Sequence, residues 1–311
     1  MLSKNTVVMA GSPDYAWGAW LCIASMRKSG MNDPVLVCAN GWSSQWEKCL
    51  ASFGDVSFHE MPPDDRNVCC NKAHAMLQAD QSEYVTWVDC DAVFSGNCSS
   101  MLLPPDEDSV RIRRRSPQDN NKVMARFYDE TEEKDGIPRA ILKRWQEDVN
   151  DLTSPRCKYA ATSGVIGLHR KYRPFLELWH AQMIKILIDT KDVVNTKDPS
   201  YFLTDESVLN SLLFFSSKAP KMSERYLLDE NPDARYAHYS LSPKPWCMWH
   251  PIQLNKYDLT MNIIDWALEH DHVPPFKLPF PLQKKNRSFV FRCARVAPYY
   301  AKLRRLYKRF F

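Results

Sequence analysis

Residues 84–94 read Tyr-Val-Thr-Trp-Val-Asp-Cys-Asp-Ala-Val-Phe, an apolar run that ends in two carboxylates, Asp89 and Asp91. Successive strand side chains point to opposite faces, so residues i and i+2 share a face. Asp89 and Asp91 are therefore predicted to face one point at the carboxyl end of a strand, where open α/β sheets bind ligands. Two hard oxygen ligands there suit Mn²⁺ or Mg²⁺ carrying nucleotide phosphates. The alternative is that these acids merely end a buried strand, and other segments must decide.

The segments on either side alternate between strand and helix patterns. Short β-rich runs occupy residues 6–10, 35–39 and 56–58, and helical patterns follow them. This alternation predicts an α/β fold with a Rossmann-like, mostly parallel sheet flanked by helices. Further along, the sequence predicts a strand within residues 159–168 and helices over 174–189, from 205, and over 259–269. Residues 106–155 are charged, and we expect an irregular insertion or cover there.

Composition narrows the class of protein. The 311 residues are 44% hydrophobic, enough for a sizeable core, and no run reaches the roughly 18 to 20 apolar residues that span a bilayer. The start of the chain has no secretory pattern, and the ten cysteines form no Cys-x-x-Cys pair. We therefore expect reduced thiols and a cytoplasmic protein.

The C-terminal end is strongly basic. Residues 284–311 hold ten Lys or Arg and no acid, whereas the rest of the chain is mildly acidic. From Tyr299 to Phe311 apolar and basic side chains fall on separate faces of a helix, which favours peripheral binding to an anionic membrane surface on its cytosolic side. A helix that packs on its own domain is the alternative. No nucleic-acid module accompanies the basic run, so nucleic acid is not expected as a partner.

Other segments carry side chains suited to a metal and phosphate site. Tyr15, after the first strand and beside Asp14, is placed for stacking on a base. Lys72 precedes the Asp pair and is placed to approach a phosphate or sugar, although a solvated lysine is the ordinary interpretation. Asp205 and Glu206 open a helix, where acids are also favoured for structural reasons.

The segment His238-Tyr-Ser-Leu-Ser-Pro-Lys-Pro-Trp246 is more specific. A histidine can complete a carboxylate metal site, and a lysine six residues later can reach a diphosphate. The prolines on either side of Lys244 restrict its backbone.

Taken together, these segments resemble the retaining glycosyltransferases of family eight, the glycogenin and bacterial lipopolysaccharide galactosyl- and glucosyltransferase type. The resemblance runs from about residue 6 to 246 and excludes the segment 106–155. It rests on four matches: Asp89-Cys90-Asp91, Thr162-Ser163-Gly164-Val165-Ile166, Asp205-Glu206-Ser207-Val208-Leu209-Asn210, and His238 to Trp246 with Lys244 and its flanking prolines.

The resemblance implies a glycosyltransferase A-type fold with a catalytic domain over residues 1–250 and a C-terminal helical extension over 251–311 with a basic tail. It also implies roles for the matched residues. A Mn²⁺ or Mg²⁺ ion would be held by Asp89, Asp91 and His238, and the nucleotide would be contacted by Tyr15 and Asp14. The sugar hydroxyls would be bound by Lys72 and Asp205, with Ser163 and Gly164 lining the same pocket. Lys244 would stabilise the leaving phosphate.

Glu206 departs from the family pattern, which commonly has glutamine there. It is either a nucleophile or a charge stabiliser, since a covalent intermediate needs a carboxylate within reach and front-face return needs only a polar group. Thr162 and Ser12-Pro13 also depart from the pattern, which leaves the sugar and the base open.

The function that the resemblance implies is metal-dependent, retaining transfer of a hexose from a nucleotide-diphosphate sugar, UDP-sugar above all. The acceptor would be a glycan or glycolipid such as lipopolysaccharide or surface polysaccharide. The alternatives are a non-catalytic nucleotide-sugar or carbohydrate binding protein and a nucleotide-sugar hydrolase.

Overall fold

The computed structural model describes residues 3–61, 68–190, 198–222, 235–296 and 299. Its strands, in chain order, are β1 (Ser3–Gly11), β2 (Val35–Ala39), β3 (Val56–Glu60), β4 (Ser82–Val88), β5 (Ala92–Phe94), β6 (Ser109–Arg114), β7 (Ala161–His169), β8 (Lys221–Met222) and β9 (Tyr236–His238).

The helices confirm most of the periodicity seen in the sequence. They are α1 (Ala16–Lys28), α2 (Ser44–Ala51), α3 (Lys72–Met76), α4 (Ser99–Leu102), α5 (Pro117–Met124), α6 (Arg139–Val149), α7 (Arg173–Thr190), α8 (Asp205–Phe215) and α9 (Tyr257–Glu269). Residues 287–296 are also helical.

The sheet is mostly parallel, as predicted. Its seven strands lie in the order β3-β2-β1-β4-β7-β6-β8. The first four are parallel to one another, β7 is antiparallel to both neighbours, and β8 is parallel to β6. The strand order reverses between β1 and β4, and the crevice at the carboxyl ends of such a pair is where open α/β sheets place ligands. Strands β5 and β9 form a separate two-stranded ladder.

Apolar side chains on both faces of the sheet form two cores. In β1, Val7 and Met9 belong to the core that includes α1 and α9, whereas Val8 and Ala10 belong to the core that includes α3, α7 and α8. Because consecutive side chains of a strand point to opposite faces, a strand covered on both sides must be apolar throughout. This explains why β1 and β2 read as continuous apolar runs.

The prediction of an irregular insertion over residues 106–155 is wrong. The segment contributes β6, which pairs with β7 and β8 inside the sheet, and the helices α5 and α6. Val110 and Ile112 are buried on one face of β6, and they alternate with arginines. These arginines hid the strand pattern because neither packs in a core: Arg111 donates to the carbonyl oxygen of Leu103, and Arg113 lines a cavity described below.

The C-terminal part of the described chain packs on α1. Ile263 and Ile264 of α9, and Val290 and Ala294 of residues 287–296, are buried in the same core as Trp20. The domain boundary at residue 250 stays a prediction. Most of the basic amphipathic segment predicted over residues 299–311 lies outside the described residues. Among the helices that the structure does describe, none has the length and apolarity that crossing a bilayer requires.

Candidate functional site

Asp89 and Asp91 lie at the carboxyl end of β4, as predicted. The backbone N–H of Asp89 donates to the carbonyl oxygen of Gly164 at 3.0 Å, which ties the end of β4 to β7. The indole N–H of Trp87 donates to Oδ1 of Asp89 at 2.7 Å. Asp91 is 7% exposed, and its carbonyl oxygen accepts from the backbone N–H of Tyr239 at 2.8 Å. Local hydrogen bonds therefore orient both acids.

His238 reaches the two acids through the small ladder. In that ladder His238 of β9 pairs with Ala92 of β5, directly after Asp91. Its Nε2 lies 2.9 Å from Oδ1 of Asp91 and 3.5 Å from Oδ2 of Asp89. The three residues offer one ligand atom each within 4.8 Å of one another. Two carboxylates and an imidazole are a donor set that suits a divalent cation such as Mn²⁺.

The charges around Asp91 show that this point favours cations. Burial raises the pKa of Asp91, but its hydrogen bonds and charge interactions with His238 and Lys244 outweigh burial and hold that pKa well below its usual range. Burial lowers the pKa of His238, whereas Asp91 and Asp89 more than compensate and raise it. Lys244 Nζ lies 2.5 Å from Oδ2 of Asp91. The two acids therefore stabilise positive charge between them.

Lys72 joins the Asp pair to α8. Its ammonium is buried and lies 2.9 Å from Oδ1 of Asp89 and 3.1 Å from Oδ2 of Asp205. It also donates to the carbonyl oxygen and to the hydroxyl of Ser163, each at 3.0 Å, and that hydroxyl donates to Asp205 at 2.8 Å. Lys72 is not the solvated lysine that composition alone would favour, because it links β4, β7 and α8 beneath the cavity floor.

Gly164 brings the backbone of β7 against the predicted metal ligands. A Cβ at this position would lie 3.3 Å from Oδ2 of Asp89 and 3.5 Å from two ring atoms of His238. A side chain here would therefore crowd the space between the two ligands. The close approach gives a physical reason for glycine at this position.

Tyr15 and Asp14 follow the carboxyl end of β1. The ring of Tyr15 contacts Trp246 edge to face, with centroids 5.8 Å apart, and Nζ of Lys244 lies 6.0 Å from the centroid of Tyr15. The indole N–H of Trp246 donates to the carbonyl oxygen of Asp14 at 2.8 Å. The segment that carries His238 and Lys244 is thus anchored to the end of β1.

A cavity of about 610 Å³ opens between these elements. Asp89, Gly164 and His238 line one part of it, and Glu206 and Arg115 line another. Glu206 and Arg115 form an ion pair, with Nη2 of Arg115 2.5 Å from Oε1 of Glu206. Burial raises the pKa of Glu206, and the charge of Arg115 opposes that shift. Of the residues predicted for the site, the cavity lining includes Asp89, Ser163, Gly164, Glu206 and His238. Lys72 and Asp205 are hydrogen-bonded to Ser163.

Three charged residues of the cavity lining were not predicted as site residues: Arg113, Arg115 and Lys256. The two arginines are conspicuous in the sequence, but their segment was interpreted as an insertion. The alternation of Val110 and Ile112 with arginine was the signal that could have placed them on a strand. Lys256 lies in an unremarkable polar segment before α9, and no sequence pattern singles it out.

Comparison with protein-family models gives no match, and comparison with curated proteins gives none either. Solved structures do match. One is the apo structure of the bifunctional glycosyltransferase WbbM, with a TM-score of 0.53 and 15% identity over 86% of this chain and 51% of that one. The chain described here thus spans about half the length of the WbbM chain.

Two further structures are similar. The galactosyltransferase LgtC, in complex with donor and acceptor sugar analogs, has a TM-score of 0.51 and 14% identity over 91% of this chain and 99% of that one. The glycosyltransferase GlyE of Streptococcus pneumoniae TIGR4 has a TM-score of 0.53 and 13% identity over 87% of this chain and 64% of that one. The sheet order and these likenesses give the chain the glycosyltransferase A-type fold.

Proposed function

We propose that this protein is a metal-dependent, retaining glycosyltransferase that moves a hexose from a nucleotide-diphosphate sugar to a glycan or glycolipid acceptor. The observation that carries the proposal is the convergence of Asp89, Asp91 and His238, whose ligand atoms lie within 4.8 Å of one another, with Asp89 and His238 lining a cavity of about 610 Å³. His238 is 147 residues away from Asp91 in the sequence, and the ends of β4 and β9 bring it to the two neighbouring acids. The carboxylates of both acids already contact cationic or N–H groups, which is the environment that a bound cation would share.

Asp89, Asp91 and His238 would hold the metal, Mn²⁺ or Mg²⁺. When bound, a divalent cation neutralises the charge that develops on the leaving diphosphate. Lys244, with its ammonium beside Asp91, adds a second positive charge at the same point. Because Trp246 is hydrogen-bonded to the end of β1, Lys244 and Tyr15 lie on the same side of the crevice, where a nucleotide can place its diphosphate and base.

Lys72, Ser163 and Asp205 would orient the sugar. Their hydrogen bonds form a closed set beneath the cavity, so the side chains are held before any ligand arrives. Pre-organised polar groups lose little entropy when they bind a ligand. A hexose presents several hydroxyls, and this set supplies both donors and acceptors for them.

Glu206 would stabilise the reacting sugar. In the transfer, the bond from the anomeric carbon to a diphosphate oxygen breaks and its electron pair leaves with the nucleoside diphosphate. An acceptor hydroxyl oxygen forms the new bond to the anomeric carbon, and its proton passes to the departing diphosphate. The sugar passes through an oxocarbenium-like state that a nearby carboxylate stabilises. Oε1 of Glu206 is engaged by Arg115, and Oε2 makes no hydrogen bond to any described residue. Oε2 is therefore the oxygen available to the sugar.

The similar solved structures support glycosyl transfer as the kind of reaction that we propose. WbbM, LgtC and GlyE are glycosyltransferases, and LgtC was solved with donor and acceptor sugar analogs. A UDP-sugar as donor, and lipopolysaccharide or surface polysaccharide as acceptor, are part of the proposal through the sequence resemblance.

The proposal includes peripheral attachment to the anionic, cytosolic face of a membrane. In the helical residues 287–296, Phe289 is 55% and Val296 is 59% exposed, and Arg292 and Arg295 are exposed beside them. Apolar side chains among basic ones are the pattern of helices that lie in a lipid interface. The position of this surface at the start of the basic tail supports the attachment.

Product analysis tests the proposal. The protein is incubated with Mn²⁺ and a panel of nucleotide sugars, with and without glycan and glycolipid acceptors, and the products are identified by mass spectrometry and NMR. We expect transfer to an acceptor with the anomeric configuration of the donor, and its loss in Asp91→Asn. Free sugar in the presence of every acceptor would identify a hydrolase, and unchanged donors would identify a binding protein.

A further inference from the structure

The arginines at the end of β6 face two different cavities. Arg113 and Arg115 line the cavity of the candidate site, whereas Arg114, between them, lines a second cavity of about 270 Å³. Adjacent strand residues point to opposite faces, which explains the division. The run of arginines in the sequence thus supplies charge to two places, and the proposed transfer chemistry uses only one of them.

Among the described residues, the lining of the second cavity has four basic side chains and no acidic one. Arg114, Arg156, Lys158 and Lys221 contribute the charge, and Cys157, Pro220 and Met222 complete the lining. Burial raises the pKa of the Cys157 thiol to about 11, and the positive charges of Arg156 and Arg114 oppose that shift. The charges of both guanidinium groups are therefore felt inside this cavity.

Arg156 is held in place without losing its charge. Its Nη1 donates to the carbonyl oxygens of Ser216 and Ala219, at 2.9 and 2.8 Å, and its backbone N–H donates to the carbonyl oxygen of Phe214 at 2.9 Å. These acceptors are neutral, so they orient the guanidinium but do not neutralise it. An oriented guanidinium binds phosphate with little loss of side-chain freedom.

Arg114 has no such partner. In the parts of the chain that the structure describes, its guanidinium makes no hydrogen bond and no ion pair, and its Nε is buried with the donor unsatisfied. A buried donor without an acceptor destabilises the folded state, because it has lost its hydrogen bonds to water. The half-buried guanidinium of Arg114 lines the same cavity as Arg156. An anion bound there would supply the hydrogen-bond acceptor that Arg114 lacks.

The two lysines belong to the rim. Lys158 pairs with Asp135 at 2.5 Å, and Lys221 lies 3.9 Å from Asp108, which also pairs with Lys171. The lysine side chains are more than half exposed, and exposed ion pairs of this kind contribute little. Both ammonium groups can therefore turn toward an anion in the cavity.

We propose that this second cavity is a binding site for a phosphate monoester group, with Arg114 and Arg156 as its principal ligands. Two arginines and two lysines match a dianion better than the single charge of a carboxylate, and arginine binds phosphate oxygens with two N–H groups at once. The inference does not depend on the glycosyltransferase proposal, since the cavity lies on the opposite face of β6. The phosphate can belong to a soluble sugar phosphate or to a lipid headgroup.

Isothermal titration calorimetry at constant ionic strength tests the site. Inorganic phosphate and glucose 6-phosphate are titrated into the wild-type chain, Arg114→Met and Arg139→Met. Arg139 is the exposed first residue of α6 and does not line the cavity, so its substitution removes the same charge outside the proposed site. We expect saturable binding that is about tenfold weaker in Arg114→Met and unchanged in Arg139→Met. Because Arg114 has no partner to lose, its substitution leaves the fold intact, which circular dichroism and thermal melting verify.

Sedimentation with vesicles that contain phosphatidic acid identifies the source. Sedimentation that Arg114→Met abolishes assigns the phosphate to a lipid headgroup, and calorimetric binding of glucose 6-phosphate without sedimentation assigns it to a soluble ligand. Either result supports the site. Absence of saturable binding up to about 10 mM, or equal affinity in Arg114→Met and wild type, overturns it, because phosphate held at the metal and diphosphate site does not depend on Arg114.

Discussion

Nη2 of Arg115 lies 2.5 Å from Oε1 of Glu206, and the two side chains are only 13% and 14% exposed. This ion pair connects the residue after β6 with the first turn of α8, on the wall of the cavity that also contains Asp89 and His238. Burial raises the pKa of Glu206 and the charge of Arg115 opposes that shift. Arg115 therefore stabilises the ionised form of the buried Glu206 carboxylate.

Arg115→Met is expected to destabilise the protein by about 3 kcal/mol at pH 8, because it leaves a buried carboxylate without its cation. The loss should be smaller at pH 5. The pKa of Glu206 is already raised in the folded state and rises further without Arg115, so the folded state binds the proton more tightly than the unfolded one and its stability falls as pH rises. Urea unfolding at the two pH values measures this.

Glu206→Gln provides the control for Arg115. In the double variant the buried charge is gone, so most of the stability lost in Arg115→Met should return and its pH dependence should vanish. Equal losses for the single and double variants would show that the ion pair is not the cause.

Lys72→Met is expected to cost about 3–5 kcal/mol and to abolish turnover. It removes the cation shared by Asp89 and Asp205 and leaves two carboxylates buried together. Lys72→Arg keeps the charge and should recover part of the stability. Chemical denaturation compares the three proteins, and a Lys72→Met variant as stable as wild type would contradict the assigned contacts.

Gly164→Ala is expected to weaken Mn²⁺ binding about tenfold while the melting temperature changes little. The added methyl would lie 3.3 Å from Oδ2 of Asp89, so that carboxylate must move by a few tenths of an ångström, and small displacements of a ligand reduce metal affinity. Calorimetric titration with Mn²⁺ gives the affinity. Normal Mn²⁺ affinity in this variant would argue against a metal position beside Asp89.

The sequence was sufficient for most of the fold, and it singled out several residues that the structure places near Asp89. Period-2 and helical patterns predicted the strands and helices around Asp89, and motif resemblance named His238 and Lys244, which the structure does place beside Asp91. Arg115 was not assigned, because a strand that carries arginines on the wall of a cavity does not show the apolar pattern of a core strand. The hydrogen bonds of Lys72 were equally invisible, since they join segments 91 and 133 residues away.

If residues 287–296 attach the protein to a membrane, substitutions on their exposed surface should weaken binding to anionic vesicles. The combined variant Phe289→Ser, Arg292→Glu and Arg295→Glu should bind anionic vesicles at least about a hundredfold more weakly, because each basic residue near such a surface contributes on the order of 1 kcal/mol. Val290 and Ala294 remain to pack in the core, so the fold should persist. Co-sedimentation measures the binding.

The control for this variant is Arg139→Glu with Lys143→Glu, which alters exposed charge on α6 and should leave vesicle binding nearly unchanged. If both variants bind vesicles as wild type does, the surface around Phe289 has no role in attachment.

The central claim is that Asp89, Asp91 and His238 bind one divalent cation, and calorimetric titration with Mn²⁺ tests it most directly. We expect one ion per chain in the wild type and affinity at least about a hundredfold lower in Asp91→Asn and in His238→Gln, each with its fold verified by circular dichroism. Undiminished Mn²⁺ affinity in both variants would contradict the account.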